Sequence, residues 1–438
     1  LLLFGILVFA VGSVVCAVAK SIGVLLAGRG IAGMGAAALI GLTLVIVSDI
    51  VPMRKRGSFM AVFALVFSVS SVVGPLLGGL FADRVSWRWI FWLSLPISGV
   101  VAVAIVLLLR LPRRRGPGES VWAKVRRIDY LGIVLLVGGI VSVLLGLTMP
   151  GTGKRWTSPA VIACLVVGVV VVASFFVVEW RFARDPIVPL RLFRIRNVAA
   201  MMAASFAMGA CMFTPIYYVP IYYIVVQHTS STTAGIYLLP FVIGIMITSI
   251  GAGLLVLRYG RYRPYMWAGT AVCTVGLGLL GLLDTHSPMA LRICVLLIAG
   301  LGIGPFIQLS LIAGQAAVPP EDMASTTAVL TFFRSVGSVF GMAVMQTIMS
   351  ANLRHRLSPI EEQYPDNGHT ISGSLDNPSI IYDQGVSDDL RAAIIDAYMH
   401  SLHLVFLAMI PFGAVMFLST LFLKHIPLAR RLQPVVAE

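Results

Sequence analysis

Apolar runs of about twenty residues, the length a helix needs to cross a bilayer, recur along this chain and constrain its fold more than any other feature. Twelve stand out, at residues 1–18, 22–50, 58–82, 88–110, 129–149, 159–180, 197–226, 234–257, 264–283, 289–318, 323–350 and 399–424. Inside lipid every backbone N–H and C=O must be paired within the protein, so such runs become helices. Composition agrees: 11% of the 438 residues are charged, where soluble domains carry roughly 25%. The expected fold class is an all-α integral membrane protein with twelve transmembrane helices. Two basic stretches, Arg110–Tyr130 and Arg181–Arg196, divide these helices into groups of four, two and six.

The net charge is +14, which in a soluble protein would point to nucleic acid. Its placement points elsewhere. If the first run starts in the cytoplasm and the loops alternate, 21 of the 32 Lys and Arg residues fall on the cytoplasmic side. Nine fall outside, and Arg29 and Arg334 lie within runs. This is the positive-inside bias, so the basicity reports topology and leaves no nucleic-acid partner to invoke. The five cysteines (Cys16, Cys164, Cys211, Cys273, Cys294) sit inside apolar runs without paired spacing, which reads as buried free thiols.

The third run ends in Ser70-Ser71-Val72-Val73-Gly74-Pro75-Leu76-Leu77-Gly78-Gly79-Leu80-Phe81-Ala82-Asp83. Ser71, Gly74, Gly78 and Ala82 share one helix face at steps of three and four, and small residues on one face let membrane helices approach closely. Pro75 removes a hydrogen bond to the Ser71 carbonyl and predicts a bend. A closely packed, bent helix suits a moving interface between two bundles; it equally suits ordinary packing around a proline kink.

Gly74-Pro75-x-x-Gly78-Gly79, then Asp83 and Trp87-Arg88-Trp89-Ile90-Phe91-Trp92-Leu93-x-Leu95-Pro96, resembles the antiporter motif of the major facilitator superfamily, in the form carried by fungal fourteen-span drug:proton antiporters. Arg29 with Gly33-Met34-Gly35-Ala36-Ala37 is similar to the superfamily's fourth-helix pattern, although Ala32 stands where the family often has Gln. Tyr217-Tyr218-Val219-Pro220-Ile221-Tyr222-Tyr223, Gly300-Leu301-Gly302-Ile303-Gly304 and Phe332-Phe333-Arg334-Ser335-Val336-Gly337 also look like this family. The resemblance covers roughly residues 1–350 and 390–427. It implies four spans of an N-terminal bundle (1–110), a basic linker with two extra spans and a second linker (111–196), and a six-span C-terminal bundle (197–438). A fourteen-span layout would place two further spans before Leu1, with the family's cytoplasmic Asp-Arg loop and first-helix carboxylate. An N-terminal truncation or incomplete gene model is therefore expected. Residues 351–398, polar and comparatively acidic with Asn367-Gly368 and Asn377-Pro378 turn signals, read as a mobile extracellular loop.

Ionisable groups inside a membrane are expensive, so Arg29 and Arg334 are the first functional candidates. Arg334 falls near mid-depth; Arg29 is close enough to a span end to snorkel. Asp49, Asp129 and Glu179 lie at cytoplasmic span ends and read as solvated. No carboxylate sits near mid-depth in any run. Either the absent helices supply an acid that pairs with these arginines, in which case residues 1–438 alone would not couple to ΔpH, or the arginines bind an anionic substrate. Tyr217, Tyr218, Tyr222 and Tyr223 read as an interfacial belt or as substrate lining, and Gln308, Gln315 and Gln346 as interhelical hydrogen bonds or substrate contacts. His286, His400 and His403 are too scattered for a catalytic or metal site, so neither an enzyme nor a metal centre is expected.

The resemblance implies a monomeric secondary transporter of the plasma membrane (a vacuolar membrane is the alternative). It would export small lipophilic compounds in exchange for protons by alternating access, with the proton gradient and no bound cofactor as its energy source. A siderophore-iron or metabolite importer of the same superfamily is the alternative. A membrane-embedded enzyme or sensor is a more distant one.

Overall fold

The computed structural model describes residues 1–50, 66, 69–70, 73–74, 76–109, 129–182, 186–375, 378–382, 386–424 and 426. Ser71, Pro75, the turn 51–57 and most of the first basic linker lie outside these residues. Among the described residues the chain is helical, with no strand. The longer elements are α1 (Leu2–Ala17), α2 (Ile22–Ile50), α3 (76–84), α4 (Trp89–Leu108), α5 (Tyr130–Thr148), α6 (Pro159–Arg181), α7 (Arg196–Ile221), α8 (Ser231–Tyr237), α9 (Leu239–Tyr259), α10 (Arg263–Leu280), α11 (Met289–Ala316), α12 (Met323–Gln363), α13 (Gly368–Ser374), α14 (Asp388–Ala408) and α15 (Ile410–Leu421).

Nine helical segments among the described residues are long and apolar enough to cross a membrane; α1, with 16 residues, is apolar but shorter. Helix α4 buries none of its residues, and Val100 and Leu108 are 71% and 79% exposed. Apolar helices that present this much surface require lipid as their solvent. The protein is therefore multi-pass.

The chain forms two compact units: Leu1–Glu119 with Ser230–Ile236, and Ser120–Thr229 with Tyr237–Glu438. In the first, α1 and α2 are held together by small residues. A Cβ on Gly28 would strike Cys16 Sγ at 2.8 Å, Gly12 lies against the backbone of Ala32, Gly35 against that of Phe9, and Gly5 against Ala38. Steps of three and four on both helices make this contact continuous; it accounts for Gly28 and Gly35, while Gly30 and Gly33 face open space.

In the second unit the same logic pairs α7 with α12, where Gly209 lies on the Arg334 carbonyl, Gly337 on the Phe206 carbonyl and Gly341 on Ala210. It also pairs α9 with α11 (Gly244, Gly300, Gly304) and α10 with α11 (Gly269, Gly276, Gly302). The two extra spans, α5 and α6, interlock through Gly139, Gly146 and Gly168. They then dock on α12: Thr347 Oγ1 donates to the Leu147 carbonyl at 2.5 Å and Arg354 Nε to the Gly151 carbonyl at 3.1 Å. The five cysteines are free thiols; Cys16, Cys211 and Cys273 are buried as expected, but Cys164 is half-buried and Cys294 exposed, because an apolar run also has a face turned away from its neighbours.

Two expectations need correction. Residues 351–398 are not an irregular loop. Helix α12 runs without interruption to Gln363, α13 and a 3-10 turn at Pro378–Tyr382 follow, and α14 begins at Asp388. Leu353, Leu357, Ile371, Ile381, Leu390 and Ile394 are buried there, and the Tyr398 hydroxyl donates to the Ser374 carbonyl. Sparse apolar residues at helical spacing outweighed the turn signals. Nor is Glu179 solvated: it is 4% exposed, and its Oε1 accepts the Ile187 N–H at 2.9 Å. It holds the second linker against the end of α6. Asp129 caps α5, accepting the Gly132 N–H at 2.8 Å.

Candidate functional site

The glycines of the third run are used differently from their spacing. Gly74 and Gly78 have open space where a Cβ would stand, and Gly79 is the close-approach position. It is buried, and a Cβ there would come within 2.7 Å of the Ser231 carbonyl oxygen and Thr232 Cα. One turn further, Asp83 accepts three hydrogen bonds: from Ser231 N at 3.2 Å, Thr232 N at 2.7 Å and Thr232 Oγ1 at 2.6 Å. Slight burial pushes the Asp83 carboxyl up, and the bonds from Thr232 and Ser231 outweigh it, holding the group below its ordinary value. Asp83 therefore stays ionised at ordinary pH.

Arg29 is exposed on α2 and makes no side-chain hydrogen bond or ion pair with the described residues. Arg334 is half-buried on α12, where its carbonyl faces Gly209, and it too has no side-chain partner among the described residues. No described carboxylate pairs with either arginine.

The tyrosines separate into two groups. Tyr217 is 51% exposed and packs edge-on against Tyr218, ring centres 5.1 Å apart. Tyr218 is fully buried, and its hydroxyl donates to Oε1 of Gln346 on α12 at 3.1 Å. Gln346 is exposed, and its Nε2 donates to Ser350 Oγ at 3.2 Å. These residues lie where α7 and α12 are locked by glycine, so their relative positions are fixed by backbone packing. Together they offer an aromatic face beside an amide, a surface for a ligand that is mostly apolar with one polar group.

Tyr222 belongs to a separate collar. Its hydroxyl donates to the Asp284 carbonyl at 2.8 Å, and Gln227 Nε2 bonds both this hydroxyl, at 3.3 Å, and the Thr285 carbonyl, at 2.8 Å. Arg292 Nη1 completes it by donating to Gln227 Oε1 at 2.9 Å. The collar surrounds a single π-helical turn at Tyr222–Val226, a geometry frequent at functional positions. Gln227 and Arg292 escaped the sequence reading because both sit at a span end, where a polar residue is ordinary. The cue was their joint position at adjoining ends of two spans.

Gln315 Nε2 donates to Thr327 Oγ1 at 2.8 Å, tying α11 to α12. Gln308 is half-buried on α11 with its side chain 3.6 Å from the Cβ position of Gly253. The candidates thus fall into one direct pair (Tyr218 with Gln346), two residues bonded within the scaffold (Tyr222, Gln315) and others that stand apart.

Residues 1–342 match the family model of the Major Facilitator Superfamily. The chain is similar to the Aspyridones efflux protein of Neocamarosporium betae, at 38% identity over 388 residues covering 88% of this chain and 67% of that protein. It is 32% identical over 427 residues to the MFS-type efflux transporter ffsH of Aspergillus flavipes, covering 97% and 75%. Among solved structures it is similar to a bacterial homolog of the human lysosomal transporter Spinster in an inward-facing, occupied conformation. That likeness has a TM-score of 0.55 at 16% identity and covers 99% of this chain and 84% of that one; it supports the fold alone. The chain belongs to the major facilitator superfamily and is a multi-pass transmembrane transporter.

Proposed function

We propose that this transporter exports small lipophilic compounds of the drug, toxin or secondary-metabolite class in exchange for protons. Alternating access of two bundles around a mid-membrane site would carry the cycle. The observation that carries the reading is similarity along nearly the whole chain to fungal proteins named for efflux. The aromatic and amide surface at Tyr217, Tyr218 and Gln346 suits bulky apolar cargo with one polar group. In this reading Gln308 lines the path, while Tyr222 and Gln315 hold the wall behind it. Arg29 and Arg334 are the intramembrane charges that an acid or an anionic cargo group neutralises. Gly74, Pro75, Gly78 and Gly79 belong to the helix that moves. The proton gradient drives the cycle without a bound cofactor, and the protein acts as a monomer in the plasma membrane.

The test is accumulation of lipophilic dyes and drugs in a fungal host lacking its own pumps. Expression should lower steady-state accumulation of at least one compound several-fold, and a protonophore should restore it. Increased uptake of a chelated metal instead would favour the importer of the same superfamily.

A further inference from the structure

The chain returns once to the first unit after leaving it. Residues Ser230–Ile236 belong with Leu1–Glu119, while Thr229 before them and Tyr237 after them belong to the second unit. This strap carries no titratable side chain. It is anchored on a single carboxylate, Asp83, through two backbone N–H groups and the Thr232 hydroxyl. Ser230 Oγ closes the turn by meeting Thr233 Oγ1 at 3.0 Å and accepting the Thr233 N–H at 3.2 Å.

The charged groups near Asp83 on its own segment are Arg84 and Arg88. Arg88 is directed elsewhere: Nη2 donates to the Ala19 carbonyl at 2.9 Å and the guanidinium lies over Trp87. The Asp83 bonds are therefore charge-assisted bonds to neutral donors, strong where they hold and replaceable by water where they part. Asp83 is exposed, so water is at hand for that exchange. Gly79 sets the reach of this contact, because any side chain there meets the strap backbone before Asp83 can close on it.

We propose that Asp83 is a positioning residue that latches the strap Ser230–Ile236 to α3 in one state of the transport cycle, and that its three hydrogen bonds must be released together for the next. This rests on the reading of the chain as an alternating-access transporter. It gives the Gly-Pro helix a specific partner: the beginning of α8.

The test is a distance measurement on the full chain in nanodiscs, with the intrinsic cysteines replaced and spin labels at Arg84→Cys and Ile236→Cys. The parent should show mainly the short separation. Asp83→Ala and Gly79→Leu should raise the long-separation population about tenfold, the equivalent of one charge-assisted hydrogen bond. Asp83→Glu should restore the short one. Thr232→Val, the mildest change, should give an intermediate shift in a protein with an unchanged unfolding midpoint. Asp83→Ala should also change the efflux rate constant kcat while leaving KM in place. Unchanged distances in all these variants would overturn the latch, and so would a shift in Asp83→Ala with unaltered kcat. If the parent moved no compound yet the distances shifted as stated, the transport reading would fall and the contact itself would stand.

Discussion

The hydroxyl of Tyr218 on α7 donates to Oε1 of Gln346 on α12 at 3.1 Å, although Tyr218 is fully buried and Gln346 is exposed. One bond thus links the packed interior of the second unit to its surface. Tyr218→Phe keeps the ring and its packing and frees the amide to water. We expect a stability loss below about 1 kcal/mol, because the acceptor is not stranded. The amide, then held only through its Nε2 bond to Ser350 Oγ, should shift KM for effluxed compounds several-fold with kcat retained. Thermal unfolding in detergent and concentration-dependent efflux check the two halves.

Glycines at close approach and glycines in open space should answer differently to the same change. A Cβ at Gly337 would fall on the Phe206 carbonyl, whereas a Cβ at Gly78 meets nothing. Gly337→Ala should cost roughly 1–3 kcal/mol through forced separation of α7 and α12. Gly78→Ala should be neutral or slightly stabilising, since alanine is the better helix former. Denaturation midpoints of the two variants measure the contrast.

The extra pair of spans is tied to α12 by Thr347 and Arg354. Thr347→Val leaves the Leu147 carbonyl without that donor at a buried contact. The expected loss is about 1–3 kcal/mol. A cross-link between Gly151→Cys and Ser350→Cys, positions where a Cβ would lie 3.3 Å from its neighbour, should form readily and leave efflux intact, because both ends belong to one unit.

Asp83 supplies the pH dependence. Its carboxyl titrates below the ordinary value of 3.8 in the folded protein. A depressed carboxylate contributes stability that is fully present above the unfolded pKa and is lost as pH falls through the folded one. The strap should therefore hold unchanged from neutral pH down to about 4 and loosen only below that. In Asp83→Asn this acid-limb loosening should disappear. Distances between the labels at Arg84→Cys and Ile236→Cys, followed from pH 7 to pH 3, provide the readout.

Much of this architecture was legible because lipid leaves few choices. Long apolar runs must be helices, and some of their spaced glycines mark where helices meet, as Gly28 and Gly35 do against α1, whereas Gly74 and Gly78 face open space. What spacing could not reveal was the partner. The spacing of Ser71, Gly74, Gly78 and Ala82 points to one face of the third run, yet Gly79 is the glycine that meets the strap. Residues 351–398 were misread because Asn-Gly and Asn-Pro pairs dominate locally, while the burial of Leu357, Ile371 and Ile394 depends on neighbours far along the chain. Glu179 reads as solvated for a more local reason: its partner, the Ile187 N–H, is close in sequence but belongs to the linker beyond the helix. Of the candidate site, the residue types were foreseeable and the pairing of Tyr218 with Gln346 was not, because 128 residues separate them.

The central claim is proton-driven export by a facilitator-type transporter. It is tested most directly by loading pump-deficient fungal cells with a lipophilic dye and following its loss. The protein should be expressed together with any residues its gene encodes ahead of Leu1. The account predicts dye loss several-fold faster than in control cells, abolished by a protonophore and unaffected by brief ATP depletion while the proton gradient is clamped. Dye loss that matched the controls for every compound, or that persisted with the gradient collapsed, would contradict it.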